Sequence, residues 1–194
     1  MTRRHGITAD TYKRFIIDAG AVYTGFTGFA SLGTLLGATR GGSSLVIEQE
    51  IKDMEVDGAR GGVIGSRRIT MVKATLTVNF IEHTLEGLKR ALVGSSSAAY
   101  ETNWNAITRD LVIADADFLA DITIVGEVSG DSDAMAISLK NAIADGNFEL
   151  TFADKEEGVI SMAFTSHFDP SDLGSGDDTE PWALYFPDPD LPVA

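Results

Sequence analysis

Val72-Lys73-Ala74-Thr75-Leu76-Thr77-Val78-Asn79-Phe80 alternates without a break: even positions are apolar and odd positions polar. A period of two sends successive side chains to opposite sides of an extended backbone, so this stretch reads as a strand with one buried and one solvated face. The same period recurs on either side of it. Ile122, Ile124 and Val128 keep it downstream, as do Ile160, Met162, Phe164, Ser166 and Phe168. Phe148, Leu150 and Phe152 alternate with polar neighbours, and Asp154-Lys155-Glu156-Glu157-Gly158 then predicts a hairpin loop. Upstream, Leu45 to Val56 is extended but changes phase, which predicts a bulge near Lys52-Asp53. Phe15 to Asp18 and Ala21 to Tyr23 predict a first strand or hairpin.

One helix interrupts the β pattern. Thr84 is its N-cap, Leu85, Leu88 and Leu92 share a face, and Gly94 closes it. Lys89 and Arg90 sit in its last turn, where cations suit the helix dipole. Gly94 to Ser97 reads as a loop, and Ser138 to Asp145 as either a helical turn or a wide strand connection. The expected fold is mainly β, a sandwich or flattened barrel with one flanking helix, as a single domain over 1–194.

Composition narrows the function. The chain has 194 residues, no cysteine and a net charge of −14. A disulfide framework, a thiol nucleophile and a cysteine-held metal are excluded. The basic surface expected of a nucleic-acid binder is missing. The charge is also uneven. Residues 1–90 carry 12 basic and 9 acidic side chains, whereas residues 91–194 carry 3 and 20. Two readings fit: acidic loops that keep the protein soluble, or basic and acidic surfaces that meet between identical copies. The longest apolar-leaning stretch, Ala19 to Gly42, is broken by seven glycines, so no membrane span and no secretory signal are expected.

Site chemistry is sparse. His5, His83 and His167 are not spaced as metal ligands; His167 falls on the polar phase of a strand and reads as a surface residue, and His83 as a local hydrogen-bonding group. Asp115-Ala116-Asp117 and Asp131-Ser132-Asp133 are acidic pairs that lack the further oxygens and closing Glu of a calcium loop. The glycines of 37–42 lack the Gly-Lys-Ser/Thr ending of a phosphate loop. No catalytic residue, cofactor or metal is assigned, and the chain is read as not an enzyme.

Two segments fit no regular element. Residues 56–68, between two long strands, hold four glycines and three arginines and almost no bulk. A long loop of this kind is usually functional. Residues 170–194 are acidic and contain all five prolines, yet include the apolar run Trp182-Ala183-Leu184-Tyr185-Phe186. Trp182, Tyr185 and Phe186 are the candidates for docking this tail.

Several motifs then fall in a telling order: Leu32-Gly33 with Gly37, Thr39, Gly41 and Gly42 before a long strand; Val56-Asp57-Gly58 and Gly61 to Gly65 after it; the Thr84 to Leu88 helix start; Leu139 to Ala142 running to Gly146-Asn147-Phe148; Phe164 to Pro170; and Pro181-Trp182. In this order they resemble the major tail tube proteins of long non-contractile-tailed bacteriophages, over roughly residues 30–187. The resemblance implies six copies in a ring, and rings stacked head to tail into a hollow tube around a tape-measure protein. Further partners are a tail terminator and distal tail proteins. It implies a virion component assembled in the host cytoplasm, and a channel that DNA crosses without sequence-specific binding.

It also implies a loop reaching toward the next ring, here Asp57, Gly58, Arg60, Gly61, Gly62, Gly65, Arg67 and Arg68. Residues 1–12 and 170–194 would be arms. The wall of the channel would be a polar strand phase, either Glu48 and Glu50 or Lys73, Thr75, Thr77 and Asn79. Two alternatives stay open. A binding or decoration module, for instance a calcium-dependent acidic β-sandwich, accounts for the strands and acidic pairs but not for the Gly/Arg loop. Another tail protein, such as the terminator, shares most features of the first reading.

Overall fold

A computed structural model describes residues 21–55, 57, 58, 60–128, 134–150, 154, 155, 157–173 and 180–187, together with Ile7, Thr11, Phe15, Ile16, Asp18 and Gly20. Ten strands and one α-helix are present among them: β1 (Ala21–Thr24), β2 (Thr34–Leu35), β3 (Thr39–Asp53), β4 (Arg67–Phe80), α1 (Leu85–Ala91), β5 (Ser95–Glu101), β6 (Trp104–Arg109), β7 (Leu119–Glu127), β8 (Ala134–Ala144), β9 (Ile160–Thr165) and β10 (Trp182–Tyr185). The fold is mainly β. Seven strands run in the order β2-β1-β7-β8-β9-β4-β3, with β10 added on β8, and β5-β6 form a separate two-stranded sheet. All pairings are antiparallel. The large sheet ends at β2 and β3 rather than closing, so the architecture is sandwich-like.

The core follows from the alternation in β4. Ala74, Leu76, Val78 and Phe80 are all buried. On the same face Leu76 lies opposite Phe164, Val78 opposite Met162, and Phe80 opposite Ile160 of β9. Cross-strand apolar pairs of this kind add roughly 0.2–1 kcal/mol each beyond burial itself. Val22, Ile122 and Leu139 complete the core from β1, β7 and β8, and Leu88 and Ala91 of α1 pack against it. The helix starts where its sequence says: Thr84 Oγ1 accepts from Gly87 N at 3.0 Å. Gly94, at φ +65, follows its end.

Several sequence expectations are corrected. Ser95 to Ser97 are not loop but the first residues of β5, paired with Ile107 to Arg109. Residues 138–144 are neither a helical turn nor a connection; they belong to β8, which is buried on both faces over most of its length. The expected 148–158 hairpin is described only in part. Phe148 and Leu150 pack against the core without joining a ladder, and Thr151 to Ala153 and Glu156 lie outside the described residues. The bulge lies beside its expected place but on the partner strand: Glu50 pairs with Met71 and Ile51 with Ile69, so the extra residue is Thr70 on β4.

Asn141 explains why 138–145 gave no clean period. Up to Ala142, β8 pairs with β7, while Ile143 and Ala144 pair with β9. Asn141 stands at this change of partner with φ +47, a left-handed backbone that Asn tolerates better than most residues. Its Nδ2 donates to His167 O at 3.2 Å, and His167 Nδ1 lies 3.3 Å from Asn141 O. His167 is therefore half-buried at a sheet corner, with Phe118 edge-on at 5.2 Å, and not the surface residue its phase suggested. His83 bonds across the fold: its Nε2 lies 3.0 Å from Gly158 O. Among the described residues no helix is long and apolar enough to cross a membrane.

Candidate functional site

The largest unpartnered feature is the outer half of the β3–β4 ribbon. The pairing of β9 with β4 stops at Thr75. Beyond it the two strands run on alone, and Ile47 to Asp53 are all exposed, as are Arg67 to Met71. Ile47 to Asp53 span about 20 Å at roughly 3.3 Å per residue. An isolated two-stranded ribbon is marginal in water. This one also leaves the outer edge of β3, at the end of the sheet, without a strand neighbour among the described residues.

Register sorts its side chains. Leu45, Ile47 and Ile51 continue the core face outward, opposite Leu76, Ala74 and Ile69. The Thr70 bulge is what brings Ile69 to that face; with unbroken pairing it would share the opposite face with Met71. Ile51 and Ile69 are 48% and 58% exposed, an apolar stripe with no cover. On the other face Glu48 lies directly opposite Lys73, Thr75 opposite Val46, and Thr77 opposite Ser44. Asn79 shares this face and donates from Nδ2 to Gly42 O at 3.3 Å. The sequence left Glu48 and Glu50 as one option and Lys73, Thr75, Thr77 and Asn79 as another; the register puts all six on one face. β9 extends that face with Ser161 and Ala163. Lys73 Nζ is 3.8 Å from Asp145 Oδ2, so three carboxylates stand against one ammonium there.

At the tip the strand pairing reaches farther than the sequence suggested. Arg67 and Arg68 are not loop residues but the start of β4. Arg67 Nε donates to Asp53 Oδ1 at 2.7 Å across the ribbon. That hydrogen bond, aided by the guanidinium charge, holds the Asp53 carboxyl below its ordinary value and raises Arg67 above its own. Both groups are solvated, so the pair contributes little to stability. Met54 N donates to Ser66 O at 2.9 Å, and Ser66 Oγ to Val63 O at 2.7 Å, which closes the base of the loop. Asp57 and Gly58 form one turn and Ile64-Gly65 another; Gly58 and Gly65 have φ near +90. Arg60, Gly61 and Gly62 are exposed, and a Cβ on Gly61 or Gly62 would meet only open space. The loop has more bulk than its glycines suggested, because Val63 and Ile64 project at 53% and 103% exposure. Lys52 lies directly opposite Arg68, and neither makes an ion pair among the described residues.

A second surface lies on β1 and the tail. Trp182 to Tyr185 pair with Leu139 to Ala136 of β8. Trp182 packs against the core, whereas Tyr185 and Phe186 are exposed. The Tyr185 ring meets Phe26 at 5.7 Å and Phe29 at 6.4 Å, an aromatic cluster the sequence reading did not single out. Asp121 fixes the loop that carries Phe26: its carboxylate accepts from Gly25 N at 2.6 Å, Phe26 N at 3.0 Å and Thr123 Oγ1 at 3.1 Å. Gly33 is required beneath it. Its φ is +89, and a Cβ there would come within 2.2 Å of Thr24 O. A third exposed group, Tyr100, Trp104 and Leu111 to Ile113, lies on or just after the β5–β6 hairpin.

The acidic pairs hold no metal cluster among the described residues. Asp115 to Asp117 form a 3-10 turn in which Asp117 Oδ2 accepts from Ala114 N at 2.8 Å. Asp131 to Asp133 lie outside the described residues, as do most of residues 1–12 and the tail beyond Pro187.

No protein-family model and no curated protein sequence matches the chain. Among solved structures it is similar to a chain in the virion of a native gene transfer agent particle, at 10% identity and TM-score 0.42, covering 78% of this chain and 92% of that one. It is similar to a chain in the tail of an empty gene transfer agent particle of C6 symmetry, at 10% identity and TM-score 0.44, with the same coverage. A likeness to an Hcp protein has 14% identity and TM-score 0.27, over 61% of this chain and 62% of that one.

Proposed function

We infer that this chain is a structural subunit of a phage tail tube, self-assembling into stacked hexameric rings around a channel for DNA. The observation that carries this reading is the β3–β4 ribbon. It combines a long free strand edge, an uncovered apolar stripe and a polar face of small and acidic side chains. Each part needs a neighbour or a channel. A free edge calls for another strand. An exposed apolar stripe calls for burial. Around Lys73 the carboxylates of Glu48, Glu50 and Asp145 outnumber the one ammonium, so this part of the face repels phosphate on balance and a polymer of phosphates slides past it.

On this reading the whole chain, 1–194, acts as one tail-tube domain. Ribbons of neighbouring copies line the channel with Glu48, Glu50, Lys73, Thr75, Thr77 and Asn79. The loop from Asp57 to Gly65 reaches the next ring, with residues 1–12 and 170–194 as arms. The tape-measure protein fills the channel before DNA does, and the terminator and distal proteins cap the tube. The chain catalyses nothing. The order of the sequence motifs supports this reading as well. The test is sedimentation of the purified chain over a range of concentrations. The expected result is growth from the 20.7 kDa monomer into six-copy and larger species. A monomer at every concentration sinks it.

A further inference from the structure

The ribbon tip needs a receptor, and one surface of the same chain has the matching chemistry. We propose that the β3–β4 tip of one copy docks on the aromatic cluster Phe26, Phe29 and Tyr185 of the next copy. The proposal rests on the self-assembly reading above and names the partner surface that reading leaves open.

Three observations carry it. The first is apolar surface. Val63 and Ile64 project from the tip beside Ile51 and Ile69, all about half exposed or more. Phe29 and Tyr185 are 48% and 42% exposed. Aromatic anchors held rigidly are the usual centre of a protein contact. Asp121 supplies that rigidity through the three hydrogen bonds it accepts from Gly25, Phe26 and Thr123.

The second is charge. Lys52 and Arg68 sit directly opposite each other at the tip, where like charges repel unless an acidic partner faces them. Arg60 adds a third cation nearby. In sequence, Asp177, Asp178 and Glu180 precede the Trp182–Tyr185 strand and Asp188 and Asp190 follow it, so the segments flanking the cluster are acidic in composition. The β5–β6 hairpin, the competing receptor, carries its own cation, Arg109, beside its acids.

The third is topology. The cluster rests on the loop between β1 and β2, at one end of the strand order, while the ribbon is at the other end. A contact between two different surfaces is head to tail. It propagates from copy to copy, as a ring or tube requires, whereas a patch meeting itself stops at a dimer.

The test exploits the absence of cysteine from the chain. Ile64→Cys and Phe29→Cys are made as separate proteins, with Tyr185→Cys as a second receptor variant in case Phe29→Cys folds poorly. Each is treated with a short bis-maleimide under conditions where the unmodified protein assembles. The expected result is a crosslinked pair only when the Ile64→Cys protein is mixed with a receptor variant, and none from any variant alone. Adding Arg68→Glu to the Ile64→Cys protein should lower the yield by at least about tenfold, since like charge then faces the acidic segments. Assembly without a crosslink in either mixture overturns the proposal. So does crosslinking to Trp104→Cys on the β5–β6 hairpin instead, or crosslinking of a receptor variant to itself. Failure of the unmodified protein to assemble is seen separately by sedimentation, and sinks the tube reading and the docking together.

Discussion

Removing the loop tip should separate assembly from folding. The variant deletes Asp57 to Gly65 and replaces Glu55-Val56 by Asn-Gly, a pair suited to a two-residue hairpin turn. The structure makes the cut feasible, because Met54 N already bonds Ser66 O and Arg67 already bonds Asp53 across the base. Shortening the connection about fivefold lowers its closure entropy by about 1.5 kcal/mol. Against this stands the loss of local bonds, Ser66 Oγ and Ser66 N to Val63 O and Arg68 to Gly65 O, each contributing about 1 kcal/mol or less. No core residue is touched. The balance is near zero, so Tm should move by no more than about 4 °C in a chain of this size. Thermal melting followed by circular dichroism reads the fold, and electron microscopy reads stacking. The expected outcome is a normal melt with stacking abolished. Tubes of normal length from the deletion variant would refute the role given to this loop.

Other consequences follow from particular residues. Asn141→Gly keeps the left-handed backbone and loses only the bond to His167, about 1 kcal/mol, whereas Asn141→Val adds strain of roughly 1–2 kcal/mol; urea melts in which both variants lose equal stability contradict the strained-corner account. Asp53 should titrate below the ordinary aspartate range by NMR and return toward it in Arg67→Gln; an unchanged titration contradicts the pairing. Because the folded value is depressed, the pair's small stabilisation is present at neutral pH and is lost as pH falls through the acid range. Glu48→Lys with Glu50→Lys should leave tubes that retain DNA in a salt-sensitive manner; variant tubes that ignore DNA at low salt argue that this face lies elsewhere.

The sequence was most legible where one face is buried and the other wet. β4 alternates cleanly because Ala74, Leu76, Val78 and Phe80 pack into the core while the intervening side chains stay half-exposed on the opposite face, and the Thr84 cap names the helix start outright. β8 was not legible, because it is buried on both faces and bends at Asn141, so neither a period of two nor one of 3.6 survives. β5 begins Ser-Ser-Ser-Ala-Ala, with no β-branched or aromatic residue before Tyr100, and reads as a loop by composition. The extra residue Thr70 lies inside a strand of good β formers, where nothing local marks it. For the candidate site, the residue types were visible but their grouping was not. That Glu48 and Lys73 face each other depends on the register of two strands joined by a long loop. The aromatic cluster joins residues more than 150 positions apart in sequence, Phe26 and Tyr185.

The central claim is that the chain builds a tube from rings of itself. Negative-stain electron microscopy of the purified protein at high concentration tests it most directly. The account predicts six-fold rings and stacked hollow tubes; a field of single small particles at every concentration would contradict it.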